Sequence, residues 1–143
     1  MGCPRLNPGV GNGLDHLPEG LCLGKGVLGL GEGRVEMGMA DVLVFATPIY
    51  YYEMCGQMKT LLDRMNPLYE SDYAFREVYM IATAADGGDA TFEKAYNGLQ
   101  GWVDCFPKAK LCGLVAGEEI GDPKDAVNHP DVMEKAYELG KAL

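Results

Sequence analysis

Three stretches of strand length, each almost wholly apolar and each followed by a helical pattern, constrain this chain more than any other feature. They are Asp41-Val42-Leu43-Val44-Phe45-Ala46, then Glu77-Val78-Tyr79-Met80-Ile81-Ala82-Thr83-Ala84, then Lys110-Leu111-Cys112-Gly113-Leu114-Val115-Ala116-Gly117. A continuous apolar run without alternation reads as a strand covered on both faces. Between and after the runs, apolar residues recur at spacings of three and four. Met58, Leu61, Leu62 and Met65 mark a helix within 55–65. Phe92, Ala95, Leu99, Trp102, Val103 and Phe106 mark a second, and Val132, Ala136, Leu139 and Leu143 supply the buried stripe of a third. Alternating strands and helices imply an α/β fold with parallel strands and right-handed crossovers.

The boundaries carry their own chemistry. Thr47-Pro48 is expected to end the first strand, since proline cannot donate to a central ladder. Asn66-Pro67 stops the first helix, because the residue before a proline is pushed out of helical geometry. Asp86-Gly87-Gly88-Asp89 reads as a turn, with Asp89 as the cap of the next helix. Pro130 suits the first turn of the last helix, Asp131 favours its positive dipole end, and Asp131 with Lys135 forms an i,i+4 pair.

The chain before Met39 is different. Residues 1–38 hold 11 of the 20 glycines. That concentration raises the entropy lost on ordering. The apolar residues there show neither helical nor strand period, so 1–38 is expected to be a glycine-rich irregular segment with at most one short strand. An α/β domain then occupies 39–143. Three strands and three helices follow Met39, fewer than a five-stranded doubly wound sheet needs.

Composition narrows the partners. Of 143 residues, 21 are acidic and 12 basic, a formal charge of -9. Such a surface repels phosphate backbones and anionic bilayers, which argues against nucleic acid and membrane partners. No apolar run approaches the ~18 residues of a membrane span, and the first residues lack a signal-type apolar stretch. Cys3, Cys22, Cys55, Cys105 and Cys112 form no CxxC pair, and His16 and His129 stand isolated, so no metal site is expected. An odd number of unpaired thiols fits a reducing, cytoplasmic setting. Cys55 near a helix start has no histidine to activate it, which favours a packing thiol over a nucleophile.

In an open parallel sheet, ligands bind beyond the carboxyl ends of the strands. Two loops leave such ends. Thr47-Pro48-Ile49-Tyr50-Tyr51-Tyr52 places three consecutive tyrosines where a planar heterocycle would be held, or where two rings merely cover helix ends. Ala84-Ala85-Asp86-Gly87-Gly88 is small enough for a ligand edge to reach the backbone, or is a plain strand-to-helix turn.

Thr47-Pro48-Ile49-Tyr50, Gly56-Gln57-Met58-Lys59, Leu62-Asp63-Arg64, the run 78–85, Gly101-Trp102 and Ala136-Tyr137-Glu138-Leu139-Gly140-Lys141 together resemble the flavodoxin-like NAD(P)H-dependent FMN reductases over about 40–143. The resemblance implies a flavodoxin-like doubly wound parallel sheet, incomplete on its N-terminal side. It implies FMN as cofactor, held at its ring by Thr47, Pro48, Ile49, Tyr50, Tyr51 and Tyr52 on one side and by Ala84, Ala85, Asp86 and Gly87 on the other. It further implies a homodimer in which hydride passes from NAD(P)H through flavin to a small-molecule acceptor such as a quinone or free flavin. Flavin carries that chemistry, so no catalytic side chain is expected.

The family's phosphate-binding front loop has only a distorted counterpart in Arg5 and Gly11-Asn12-Gly13. Related iron–sulfur flavoproteins carry several closely spaced cysteines ahead of the Thr-Pro-Ile-Tyr strand, and in this chain only Cys22 lies near that place, which argues against a cluster. The front is expected to be truncated, rearranged or read from a shifted frame. The alternative is a non-enzymatic remnant acting through protein contacts; a one-electron carrier is a third reading.

Overall fold

The computed structural model describes residues 30–88 and 90–143. Arg5, Gly11, Asn12, Gly13, Cys22 and Asp89 lie outside them. The elements are α1 (Leu30–Met39), β1 (Val42–Tyr50), β2 (Glu53–Met54), α2 (Gly56–Arg64), β3 (Glu77–Thr83), α3 (Ala90–Val103), β4 (Lys110–Gly117) and α4 (Pro130–Ala142). The sheet order is β2-β1-β3-β4. β1 pairs in parallel with β3 from Val42↔Glu77 to Pro48↔Thr83, and β3 pairs in parallel with β4. Among the described residues only the β1–β2 pair is antiparallel.

The register aligns the buried residues. Leu43, Phe45 and Thr47 of β1 stand beside Val78, Met80 and Ala82 of β3, all on one face. Met58 and Leu62 of α2 pack onto that face with Phe92, Ala95, Leu99 and Val103 of α3. An aromatic group closes the core: Trp102 meets Phe45 edge-on at 5.6 Å and stacks on Phe75 at 6.0 Å, while Phe106 and Tyr73 surround Phe75. Such pairs add about 0.5–1.5 kcal/mol each beyond the area they bury. The Trp102 indole N–H donates to the Leu62 carbonyl at 3.2 Å, and the Tyr73 hydroxyl accepts the Lys108 amide at 2.9 Å. Both polar tips of the cluster are therefore satisfied.

The structure departs from sequence expectation in five places. Residues 30–38 are helical as part of α1, not irregular. α1 has no apolar stripe to announce it, but its end is tied in: the Gly38 carbonyl accepts the Ala74 amide at 2.7 Å, and Met37 packs on the core. Second, β1 runs through Pro48 to Tyr50. Tyr50↔Glu53 closes a two-residue hairpin, so its backbone groups face β2, and alternation turns the Pro48 nitrogen to that same edge. The missing N–H is thus on the side away from β3 and breaks no bond of the parallel ladder. Third, the strand β2 goes unannounced by any Asn-Gly or Asp-Gly turn.

Fourth, among the described residues the strands are not covered on both faces. Val42, Val44, Tyr79 and Ile81 on the second face are half-buried, and Ala46 is exposed. Fifth, the stripe of α4 is not buried: Val132, Ala136 and Leu139 are half-buried and Leu143 is exposed. The reason is common to both. α4 lies along β4, with Val132 close to Gly117, and leaves the β1 side of that face bare among the described residues. The expected Asp131–Lys135 pair is present at 3.6 Å on the α4 surface.

Candidate functional site

Because β1 and β3 end in register, the two loops that follow them leave the sheet side by side. Each is fixed by identifiable bonds. On the first, Thr47 is buried, and its Oγ1 accepts the Cys55 amide at 3.0 Å while donating to the Pro48 carbonyl at 2.9 Å. One side chain thereby ties the end of β1 to the start of α2. Between these points the chain reverses at Tyr51 and Tyr52, whose φ angles are 53° and 64°. Two consecutive left-handed residues form a type I′ turn, usually made by Asn-Gly. For tyrosine each such conformation costs about 1–2 kcal/mol.

The second loop is held by the sheet. The Ala84 amide donates to the Gly117 carbonyl at 2.9 Å, and the Ala84 carbonyl accepts the Ile120 amide at 2.7 Å. Asp86 Oδ1 accepts the Gly87 amide at 3.1 Å, and Thr91 Oγ1 donates to the Gly87 carbonyl at 2.9 Å. Gly88, at φ 93°, takes the left-handed step that leads into α3.

A cleft of about 240 Å³ opens between the loops, lined by Ile49, Tyr51, Tyr52, Ala84, Ala85, Asp86 and Thr91. The Tyr52 hydroxyl donates to Asp86 Oδ2 at 3.0 Å, joining the two lips. That bond, together with the carboxylate charge, holds the Tyr52 phenol above its ordinary pKa of 10.0. Lys94 Nζ of α3 lies 5.8 Å from the centre of the Tyr52 ring on its face. The walls are apolar, and the cleft is below the ~300 Å³ of the smallest usual ligand pockets, so it suits a ring system rather than a whole dinucleotide.

Of the ten residues expected at the site, Ile49, Tyr51, Tyr52, Ala84, Ala85 and Asp86 line this cleft. Thr47 and Pro48 border a separate depression with Ala46, Ile81 and Thr83. Tyr50, turned to the opposite side of β1 from Ile49, and Gly87 line neither. Thr91 and Lys94 went unnoticed in the sequence; an amphipathic reading of α3 follows its buried stripe and passes over its first turn. Cys55 is a buried free thiol. Among the described residues no three His, Cys, Asp or Glu side chains converge as a metal requires.

A cleft at the carboxyl ends of adjacent parallel strands lies where open α/β sheets bind their ligands. The NADPH-dependent FMN reductase family matches residues 29–110, and the chain belongs to it. FMN is the flavin of that family and NAD(P)H its electron donor. Among solved structures, azoreductase AzrA is similar with a TM-score of 0.60 and 18% identity, over 94% of this chain and 70% of that one. The Trp repressor binding protein of Bacillus subtilis is similar with a TM-score of 0.52 and 22% identity, over 62% of this chain. The chain spans 61% of the length of that protein. At these identities the likeness establishes the flavodoxin-like fold. No curated protein matches the chain.

Two outcomes test the geometry. Thr47→Val removes the acceptor of the buried Cys55 amide and should destabilise the protein by about 1–3 kcal/mol in urea unfolding, while Thr47→Ser should restore most of it. A raised phenol pKa means that the Tyr52–Asp86 bond contributes in full below pH 10 and is lost as pH climbs through the raised value. In an ultraviolet difference titration, Asp86→Asn should move one tyrosine to lower pH.

Proposed function

We propose that the cleft between the two loops receives the ring end of a flavin, and that the chain is an FMN-dependent oxidoreductase reducing a small acceptor such as a quinone or free flavin. The observation that carries this reading is the cleft itself: apolar walls from Ile49, Ala84 and Ala85, tyrosine rings at the lip, and a Tyr52–Asp86 bond that holds both lips. When bound there, FMN would supply the redox chemistry, taking hydride from NAD(P)H and passing two electrons on. The chain's own part is to bind and orient. Ile49, Ala84 and Ala85 offer apolar surface to the ring and keep water from it. Tyr52 and Asp86 hold the lips at a fixed separation. Thr47, Pro48, Tyr50 and Gly87 act by shaping the backbone of the two loops. Thr47 does so through its bond to the Cys55 amide.

No lining residue is basic, and Asp86 is acidic. This cleft therefore gives no preference to the phosphate of FMN. Flavin fluorescence titrations should show FMN and riboflavin binding within about tenfold of each other, since one charge-assisted hydrogen bond alone is worth about 1.5–3 kcal/mol. Tyr52→Ala should weaken both. A preference for FMN of several decades would locate a phosphate cradle in residues 1–29; failure of either flavin to bind would favour the remnant that acts through protein contacts.

A homodimer is part of the same reading. Among the described residues, nothing pairs with the outer edge of β1 between Val42 and Pro48, and open edges invite association. Sedimentation at micromolar concentration should give a mass above the monomer. The free thiols Cys55, Cys105 and Cys112 fit a cytoplasmic setting. No described helix is long and apolar enough to cross a membrane.

A further inference from the structure

The Tyr52–Asp86 bond crosses the opening that a planar ligand has to use. A ring needs about 3.5–4.0 Å to the carbon atoms on each of its faces. At the bond the two lips stand 3.0 Å apart, so no ring passes between them while it is made. The backbone on either side is tied down. Ile49↔Met54 and Tyr50↔Glu53 pair across the first loop, and in the second Ala84 is bonded to Gly117 and Ile120 while Thr91 holds the Gly87 carbonyl. The Tyr52 side chain is the part that can move. It is 46% exposed, and exposed side chains change rotamer in picoseconds to nanoseconds. Two contacts hold it across the mouth: the bond to Asp86 and the Lys94 ammonium on its ring face. Lys59, Lys108, Lys135 and Lys141 each pair with a carboxylate. Among the described residues Lys94 pairs with none and lies on the Tyr52 ring instead.

We propose that Tyr52 is a side-chain latch on the cleft, swinging off Asp86 to admit a flavin ring and closing again over it, with Lys94 helping to hold it shut. The latch deepens the flavin reading above and rests on it. The same bond is made with the cleft empty and with it filled, so it cancels from the binding equilibrium. It is broken only in the open population, through which entry and exit both pass. The latch therefore sets the speed of flavin exchange and leaves the affinity nearly untouched. A bond made only after the ring had entered would slow exit alone.

The test is stopped-flow flavin fluorescence on the whole chain, with riboflavin and with FMN. The dependence on protein concentration gives the entry rate constant, and dilution of the loaded protein gives the exit rate constant. Tyr52→Phe keeps the ring and its contact with Lys94 and removes only the bond. Both rate constants should rise together, roughly two- to twelvefold, the net worth of one exposed hydrogen bond, with the dissociation constant moving less than about threefold. Lys94→Met keeps the aliphatic stem and loses the cation, and should raise both rate constants roughly two- to fivefold. Riboflavin and FMN should respond alike, because the latch acts on the ring they share.

Unchanged rate constants in Tyr52→Phe overturn the proposal and leave the flavin reading intact: the ring then enters beside the bond. Faster exit with unchanged entry also overturns it and makes the bond a contact of the loaded state alone. An effect of Lys94→Met on FMN without one on riboflavin overturns the part given to Lys94 and makes it a phosphate contact. If the original chain binds neither flavin, the functional reading fails and this proposal with it.

Discussion

The parallel pairing of β1 with β3 is the constraint on which the rest of the molecule depends. It aligns Leu43, Phe45 and Thr47 with Val78, Met80 and Ala82, and so gives α2 and α3 one continuous apolar face to cover. It also ends the two strands together at Pro48↔Thr83. Two loops that are more than thirty residues apart in sequence therefore emerge as neighbours. A parallel pair requires a long crossover, and here that crossover contains α2, the Asn66–Leu68 turn and the aromatic residues Tyr73 and Phe75 that complete the core. Without this register there is no cleft.

On that frame the site is assembled by a small number of polar ties. Thr47 joins the end of β1 to the start of α2, Ala84 is bonded to both Gly117 and Ile120, and Tyr52 reaches Asp86 across the opening. Each tie fixes backbone rather than chemistry. That is the division expected of a flavoprotein, in which the cofactor reacts and the protein binds, orients and excludes water. The Tyr51–Tyr52 turn stands out because it accepts local strain where most hairpins avoid it. A conformation of that cost persists only where the surrounding structure over-determines it, as the Ile49↔Met54 and Tyr50↔Glu53 pairs do.

The two faces of the sheet differ in a way that bears on association. One is sealed by α2, α3 and the aromatic cluster. The other carries α4 along β4 and leaves Val42, Val44 and Ile81 half-buried. The asymmetry explains why α4, with a regular apolar period in its sequence, buries none of its residues completely. An amphipathic stripe states what a helix can bury, and the partner surface decides how much it does bury.

The motif resemblance carried the family, while the amino-acid sequence by itself determined the three long strands with a helix after each, their parallel pairing and the two loops at the strand ends. Those features rest on local period and on loops that follow apolar runs, both of which can be read without knowing what lies opposite. The limits of β4 at Lys110 and Gly117 were legible for the same reason. Tertiary structure alone decided the rest. Whether Pro48 stops a strand depends on which edge its nitrogen faces, and that is set by the β2 partner. Whether 30–38 is helical depends on the tie from Gly38 to Ala74. Which of the three tyrosines meet the cleft depends on a turn whose residues lack its usual sequence signal. Tyr50 falls on the far side of β1, while Tyr51 and Tyr52 reach the cleft through left-handed backbone that propensity alone assigns to asparagine and glycine. At Tyr51 and Tyr52 the flanking hairpin pairs and the bond from Tyr52 across to Asp86 offset a local cost of about 1–2 kcal/mol per residue, which the sequence of the turn alone does not reveal.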